Sequence, residues 1–123
     1  MPDPLNELAE KDGRFQVQAY LFVYEALRVA QQLFKEERHV TGRQLLEGIK
    51  QLARDRYGRM AKTVLASWGV TKTDDFGAIV FNLVGAGMMS KTEEDRVEDF
   101  SGVYDFDDVF LDEYRIPDAR RDS

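Results

Sequence analysis

Between Phe15 and Lys35, apolar side chains run along two faces of one helical stretch. Tyr20, Val23, Tyr24, Leu27, Ala30 and Phe34 form one stripe, and Ala19, Phe22, Ala26, Val29 and Leu33 form the other. A helix that is apolar on two sides has to be covered on two sides, so this segment predicts a central helix with others packed around it. Glu25 and Arg28, three residues apart, mark its remaining wet edge and are spaced to pair across one turn.

The neighbouring segments read as those covering helices. Asp3 before Pro4 is an N-cap followed by proline at the first helical position, with Leu5 and Leu8 inside and Gly13 as the stop. Thr41-Gly42-Arg43-Gln44 matches a capping box, and Val40 and Leu45 stand at the hydrophobic-staple positions around it. That helix runs through Leu46, Ile49, Leu52, Ala53 and Tyr57 to Gly58. Gly48 in its middle costs about 1 kcal/mol against Ala, which predicts a close neighbour there. A third covering helix spans about Arg59 to Trp68, with Met60, Val64, Leu65 and Trp68 turned inward and Gly69 as its end. Thr73 is expected to cap the last one, where Asp74 and Asp75 suit the positive end of the helix dipole. Its apolar run Phe76, Ile79, Val80, Leu83 and Val84, closed by Gly87, is the greasiest in the chain.

After Gly87 the texture changes. Met88–Lys91 reads as a short strand, residues 92–96 as a polar turn, and Phe100–Phe106 as a returning strand, followed by a short helix over Asp107–Tyr114. The expected fold is therefore mainly α, a compact bundle of about five helices with a small two-stranded β-ribbon near 88–106. It forms one domain over 1–114, with 115–123 as a frayed tail. Helices followed by a ribbon suggest a winged-helix shape, with 92–99 as the wing. Its chemistry opposes DNA: the recognition helix opens on Asp74 and Asp75, and Glu93, Glu94, Asp95, Glu98 and Asp99 surround a single Arg96 in the wing.

Composition removes several function classes. The 123-residue chain has no Cys, so disulfides, Cys-ligated zinc, iron–sulfur clusters and thiol catalysis are excluded. A single His, His39, excludes any site needing two imidazoles; Glu36 and Glu37 stand near it, but with no Cys in the chain and no Ser placed by a motif it has no nucleophile to activate as a general base, and it reads as a structural loop histidine. Residues 85–92 imitate a phosphate loop but carry Ser90 where its second glycine belongs, and they follow a helix instead of a strand. The acids Asp105, Asp107, Asp108, Asp112 and Glu113 do not follow the calcium-loop template and read as a solvated face. No cofactor or metal is expected. The chain shows neither a membrane-length apolar run nor a signal-peptide pattern, so the expected place is the cytoplasm.

Charge is unevenly divided. Residues 1–91 carry 13 Lys or Arg and 11 Asp or Glu, a net +2, while residues 92–123 carry 4 and 12, a net −8. Phe100, Tyr104, Phe106 and Phe110 in the acidic part are too apolar for a free tail and are expected to fold back onto the core with the acids outside. Residues 35–62 hold 8 basic and 4 acidic side chains, and Arg43, Lys50 and Arg54 fall on one side of their helix. Three uses compete for that face: solvation, a dock for the chain's own acidic end or a twin subunit, and contact with RNA or another acidic partner.

Six strings occur in order: His39-Val-Thr-Gly42, Leu45-Leu-Glu-Gly-Ile49, Ser67-Trp-Gly-Val70, Asp74-Asp-Phe-Gly-Ala-Ile-Val-Phe-Asn-Leu-Val84, Ser90-Lys-Thr-Glu-Glu-Asp95 and Asp99-Phe-Ser-Gly-Val-Tyr-Asp-Phe106. With them the chain resembles the Minf-type family of small uncharacterised bacterial proteins, over roughly residues 14–111. The resemblance implies a bacterial source and brings no activity, cofactor or catalytic residue with it. The leading expectation is a non-enzymatic protein-interaction module, with Arg43, Lys50 and Arg54 on the basic face and Glu93, Glu94 and Asp95 on the acidic ribbon as its contacts. The alternative is an RNA- or ribosome-associated protein using the basic face, and a third reading is a small enzyme using His39 and carboxylates. A homo-oligomer is compatible with all three, and a membrane partner with none.

Overall fold

A computed structural model describes residues 3–35, 40–89 and 97–112. Local signals place the helices. The Asp3 carboxylate accepts the Leu5 N–H at 2.9 Å, Pro4 opens α1 (Pro4–Asp12), and Gly13 closes it in the left-handed conformation. Helix α2 (Val17–Phe34) follows, then α3 (Gly42–Tyr57), a three-residue 3-10 turn, α4 (Ala61–Ser67) and α5 (Thr73–Gly85). The capping box on α3 is complete: the Thr41 hydroxyl accepts from the Gln44 N–H at 3.1 Å, and the Gln44 amide oxygen accepts from the Thr41 N–H at 3.0 Å.

Helix α2 is covered on two sides, with Ala19, Tyr20, Phe22, Val23, Ala26 and Ala30 buried. Its closest partner is α3, and Gly48 makes the approach possible. A Cβ at Gly48 would stand 2.6 Å from the Ala26 carbonyl oxygen and 2.9 Å from the Ala30 methyl. Helix α5 packs on the same central helix, where the Asn82 amide donates to the Tyr20 hydroxyl at 3.0 Å, and buries Phe76, Ile79 and Leu83 fully. An aromatic trio, Phe22, Tyr57 and Trp68, ties α2 to the far ends of α3 and α4 with ring centroids 5.5 to 6.2 Å apart. No helix among the described residues is long and apolar enough to cross a membrane.

The carboxy-terminal part folds back onto this bundle. Phe100, Phe106 and Phe110 are buried, Tyr104 is half-buried, and Asp105, Asp107 and Asp108 face water, as the aromatic–acid alternation predicts. Its conformation differs from the expected ribbon. Val97–Phe100 is a 3-10 turn, residues 101–106 form an irregular strap, and Asp107–Asp112 is a wide π-helical turn; no β-strand occurs among the described residues. The cause is that the strap's backbone is held by side chains of α5. Ribbon pairing needs those same carbonyl and amide groups free for a second strand. Residues 90–96, which hold the end of the first expected strand, the turn and most of the wing expected at 92–99 with Glu93, Glu94 and Asp95, lie outside the described residues, as does the tail expected over 115–123.

Three further expectations are corrected. Met60 points outward, 57% exposed, because the 3-10 turn at Gly58–Met60 shifts the helical phase before α4 begins. Leu33 and Phe34 run past the core and are exposed at 42% and 39%, where α2 outreaches its covering helices. Glu25 pairs with Arg56 on α3, at 3.1 and 2.5 Å in fork geometry, in place of a pairing with Arg28. A cross-helix guanidinium meets both carboxylate oxygens at once, which a neighbour one turn along the same helix cannot do as well.

Candidate interaction surface

Two chemically different surfaces meet on α3. Arg43 is exposed in the first turn of α3, Lys50 and Arg54 lie half-covered further along, and all three share one side. Lys50 is engaged on both flanks. Its ammonium is 3.2 Å from Glu47 on the same helix and 5.5 Å from the centre of the Tyr104 ring. Arg54 also has a partner. Of the three basic residues, the structure thus brings Lys50 against the chain's own strap.

The strap's seat is built by residues that sequence reasoning placed for other tasks. Thr73 begins α5 but does not cap it; Lys72 precedes the helix without a side-chain cap bond. The Thr73 hydroxyl instead donates to the Phe100 carbonyl at 2.6 Å and accepts from the Val103 N–H at 3.1 Å. The Asp74 carboxylate accepts the Gly102 N–H at 3.0 Å. Asp75, nearly buried, accepts from the Thr71 N–H at 2.9 Å and faces Arg14 at 3.3 Å, so it ties the turn before α5 back onto the helix. The Tyr104 hydroxyl donates to the Leu46 carbonyl at 2.7 Å, inside α3. Lys62 on α4 pairs with Asp107 at the strap's far end.

Phe100 enters a socket made by two glycines. A Cβ at Gly42 would meet its ring at 2.9 Å, and a Cβ at Gly77 would meet its Cβ at 2.9 Å. Both glycines sit inside helices with ordinary backbone angles, so close approach of the ring is what each position requires. Nothing in the local pattern around Gly42 or Gly77 carries that information. The available signal was their pairing with an aromatic-rich segment that had no other place to go.

Beside the socket lies an open hollow of about 370 Å³, walled by Lys62, Lys72, Thr73, Asp74, Asp105 and Phe106 among others. Asp74 there is held ionised: the Gly102 N–H, ahead of its other contacts, keeps its carboxyl below the usual carboxylate range. Arg56 does the same for Glu25 through its hydrogen bonds. Burial pushes the Tyr104 phenol up, with Glu47 adding to it, so that hydroxyl stays a donor at every ordinary pH. No group of three or more metal-ligating side chains occurs among the described residues, and His39 lies outside them.

The sign of the resulting pH dependence follows. A carboxyl whose folded pKa lies below its unfolded value contributes stability above pH of about 4 and loses it as pH falls through the folded value. Asp74→Asn is therefore expected to cost about 1 kcal/mol at pH 7 and to flatten the loss of stability as pH falls below about 4. Urea unfolding of parent and variant at pH 7 and pH 3 reads both effects. An equal acid dependence in the two proteins would remove Asp74 from this account.

No known protein family, curated protein or solved structure matches the chain.

Proposed function

We propose that the protein is a non-enzymatic interaction module that meets a protein partner through the outward side of α3. The observation that carries this reading is the seating of an acidic, aromatic segment of the chain itself against α3 and α4, where Lys50 lies over Tyr104 and Lys62 pairs with Asp107. A surface that takes this chemistry from its own chain is suited to take it from another, and Arg43 extends the same positive side into solvent. The Minf-type resemblance supports a bacterial source, and a chain without Cys suits a reducing cytoplasm.

The test is capture of partners from the native cell with the parent and with Arg43→Glu/Arg54→Glu. Recovery of the specific partner is expected to fall about tenfold in the double variant while its helical circular dichroism stays intact. Capture that vanishes on nuclease treatment would replace this reading by RNA association, whose binding also weakens steeply with salt. Unchanged capture by the double variant would remove the face from the proposal.

A further inference from the structure

We infer that the groove between α3 and α5 is a peptide-recognition groove whose external ligand is an acidic partner segment of the form Asp-Phe-x-Gly-x-Tyr, and that Asp99–Tyr104 occupies it as a built-in copy of that ligand. This deepens the reading of the protein as an interaction module and rests on it.

The strap is held in the manner of a bound peptide. Its backbone is gripped at three successive points by side chains of another element: the Phe100 carbonyl and the Val103 N–H by Thr73, and the Gly102 N–H by Asp74. Such contacts give affinity to any chain of that shape, and side-chain pockets give the selectivity. Three positions are selected. The glycine socket of Gly42 and Gly77 admits a ring at position 100 and closes if either glycine gains a side chain. Gly102 is in the left-handed conformation, with φ of 57°, so the matching ligand position also favours glycine. The Leu46 carbonyl and the Lys50 ammonium together fit a phenol at position 104.

Charge fits the same occupant. Lys50 flanks position 104, and the built-in copy carries Asp99 with Asp105 directly after it, whereas the Lys62–Asp107 pair belongs to the end that stays seated. The anchoring of the strap is also unequal along its length. Phe100 and the Tyr104 hydroxyl hold the strap on either side of the exposed residues 101 and 102, and Phe106 and Phe110, with ring centroids 5.2 Å apart, hold its far end in the core. Binding of an outside segment requires residues 99–104 to leave these seats while Phe106 and Phe110 stay in the core.

The experiment uses the full chain and a labelled nine-residue peptide, Val-Glu-Asp-Phe-Ser-Gly-Val-Tyr-Asp, copied from positions 97–105. In the parent the built-in copy competes with the peptide. Phe100→Ala empties the socket, so the peptide is expected to bind that variant about tenfold more tightly than the parent, because the fraction of open groove rises. A peptide with its Phe replaced by Ala is expected to bind about thirtyfold less tightly, as for a buried aromatic anchor. No binding to a Phe100→Ala protein that keeps its helical circular dichroism, or binding indifferent to the peptide's Phe, overturns the inference. Should Phe100→Ala fail to fold, hydrogen exchange on the parent decides. The Gly102 and Val103 amides are expected to exchange about a hundredfold faster than that of Ile49, through local opening, and exchange only at the global unfolding rate overturns the inference. A dimer that trades segments between two copies would name a second copy as the occupant and overturn the assignment to a separate partner. Arg43 and Arg54 stay intact throughout, so failure here is distinguishable from failure of the α3 face.

Discussion

Gly48→Ala is expected to lower stability by about 3 kcal/mol, the opposite of the usual gain of about 1 kcal/mol when alanine replaces glycine inside a helix. The reversal comes from the contact between α2 and α3. The new methyl would stand 2.6 Å from the Ala26 carbonyl oxygen, a backbone atom that cannot swing aside, and 2.9 Å from the Ala30 methyl. The helices must separate, and the layer of Leu46, Ile49, Phe22 and Val23 around the contact loses density. Urea unfolding followed by circular dichroism measures the change. A variant as stable as its parent would mean that α2 and α3 slide apart at little cost, and the packing described for them would be wrong.

Phe110→Ala is expected to cost about 3–5 kcal/mol, a fall in melting temperature of about 15 °C in a chain of this size. Phe110 is fully buried, stands edge-on to Phe106 and belongs to the same core as Phe76 and Leu65. Asp108→Ala, two residues earlier on the wet side of the same turn, is the control and is expected to change stability by less than about 0.5 kcal/mol. Equal effects from the two substitutions would show that the acidic segment is not part of the core.

How much of this was readable in advance depends on how far apart the interacting groups are. The box between Thr41 and Gln44, the cap at Asp3 and the stops at Gly13 and Gly58 each join residues within four positions, and each is found where its letters place it. The close neighbour demanded by Gly48 was legible as a need, since a glycine in mid-helix is costly, but Ala26 and Ala30 were not legible as the neighbours. The fold-back of Phe100, Phe106 and Phe110 was legible from apolarity alone, while the ribbon was not a safe deduction. Alternating apolar residues look the same in a strand and in a strap gripped from outside.

Thr73 marks the limit most clearly. Ser and Thr ahead of a helix ordinarily cap it, and by its neighbours Thr73 has no other task. Its hydroxyl holds Phe100, 27 residues away, because the returning strap offers it a carbonyl and an amide at once. The chain's order of residues determined five helices, most of their ends, the central place of α2 and the burial of the acidic segment's rings. Each of those follows from periodicity, caps and the transfer of apolar surface out of water, which act locally or without direction. The tertiary structure alone decided the seat of Phe100 between Gly42 and Gly77, the Glu25–Arg56 pair and the grip of α5 on the strap. Those are directional contacts between distant parts, and their geometry exists only once the helices have packed.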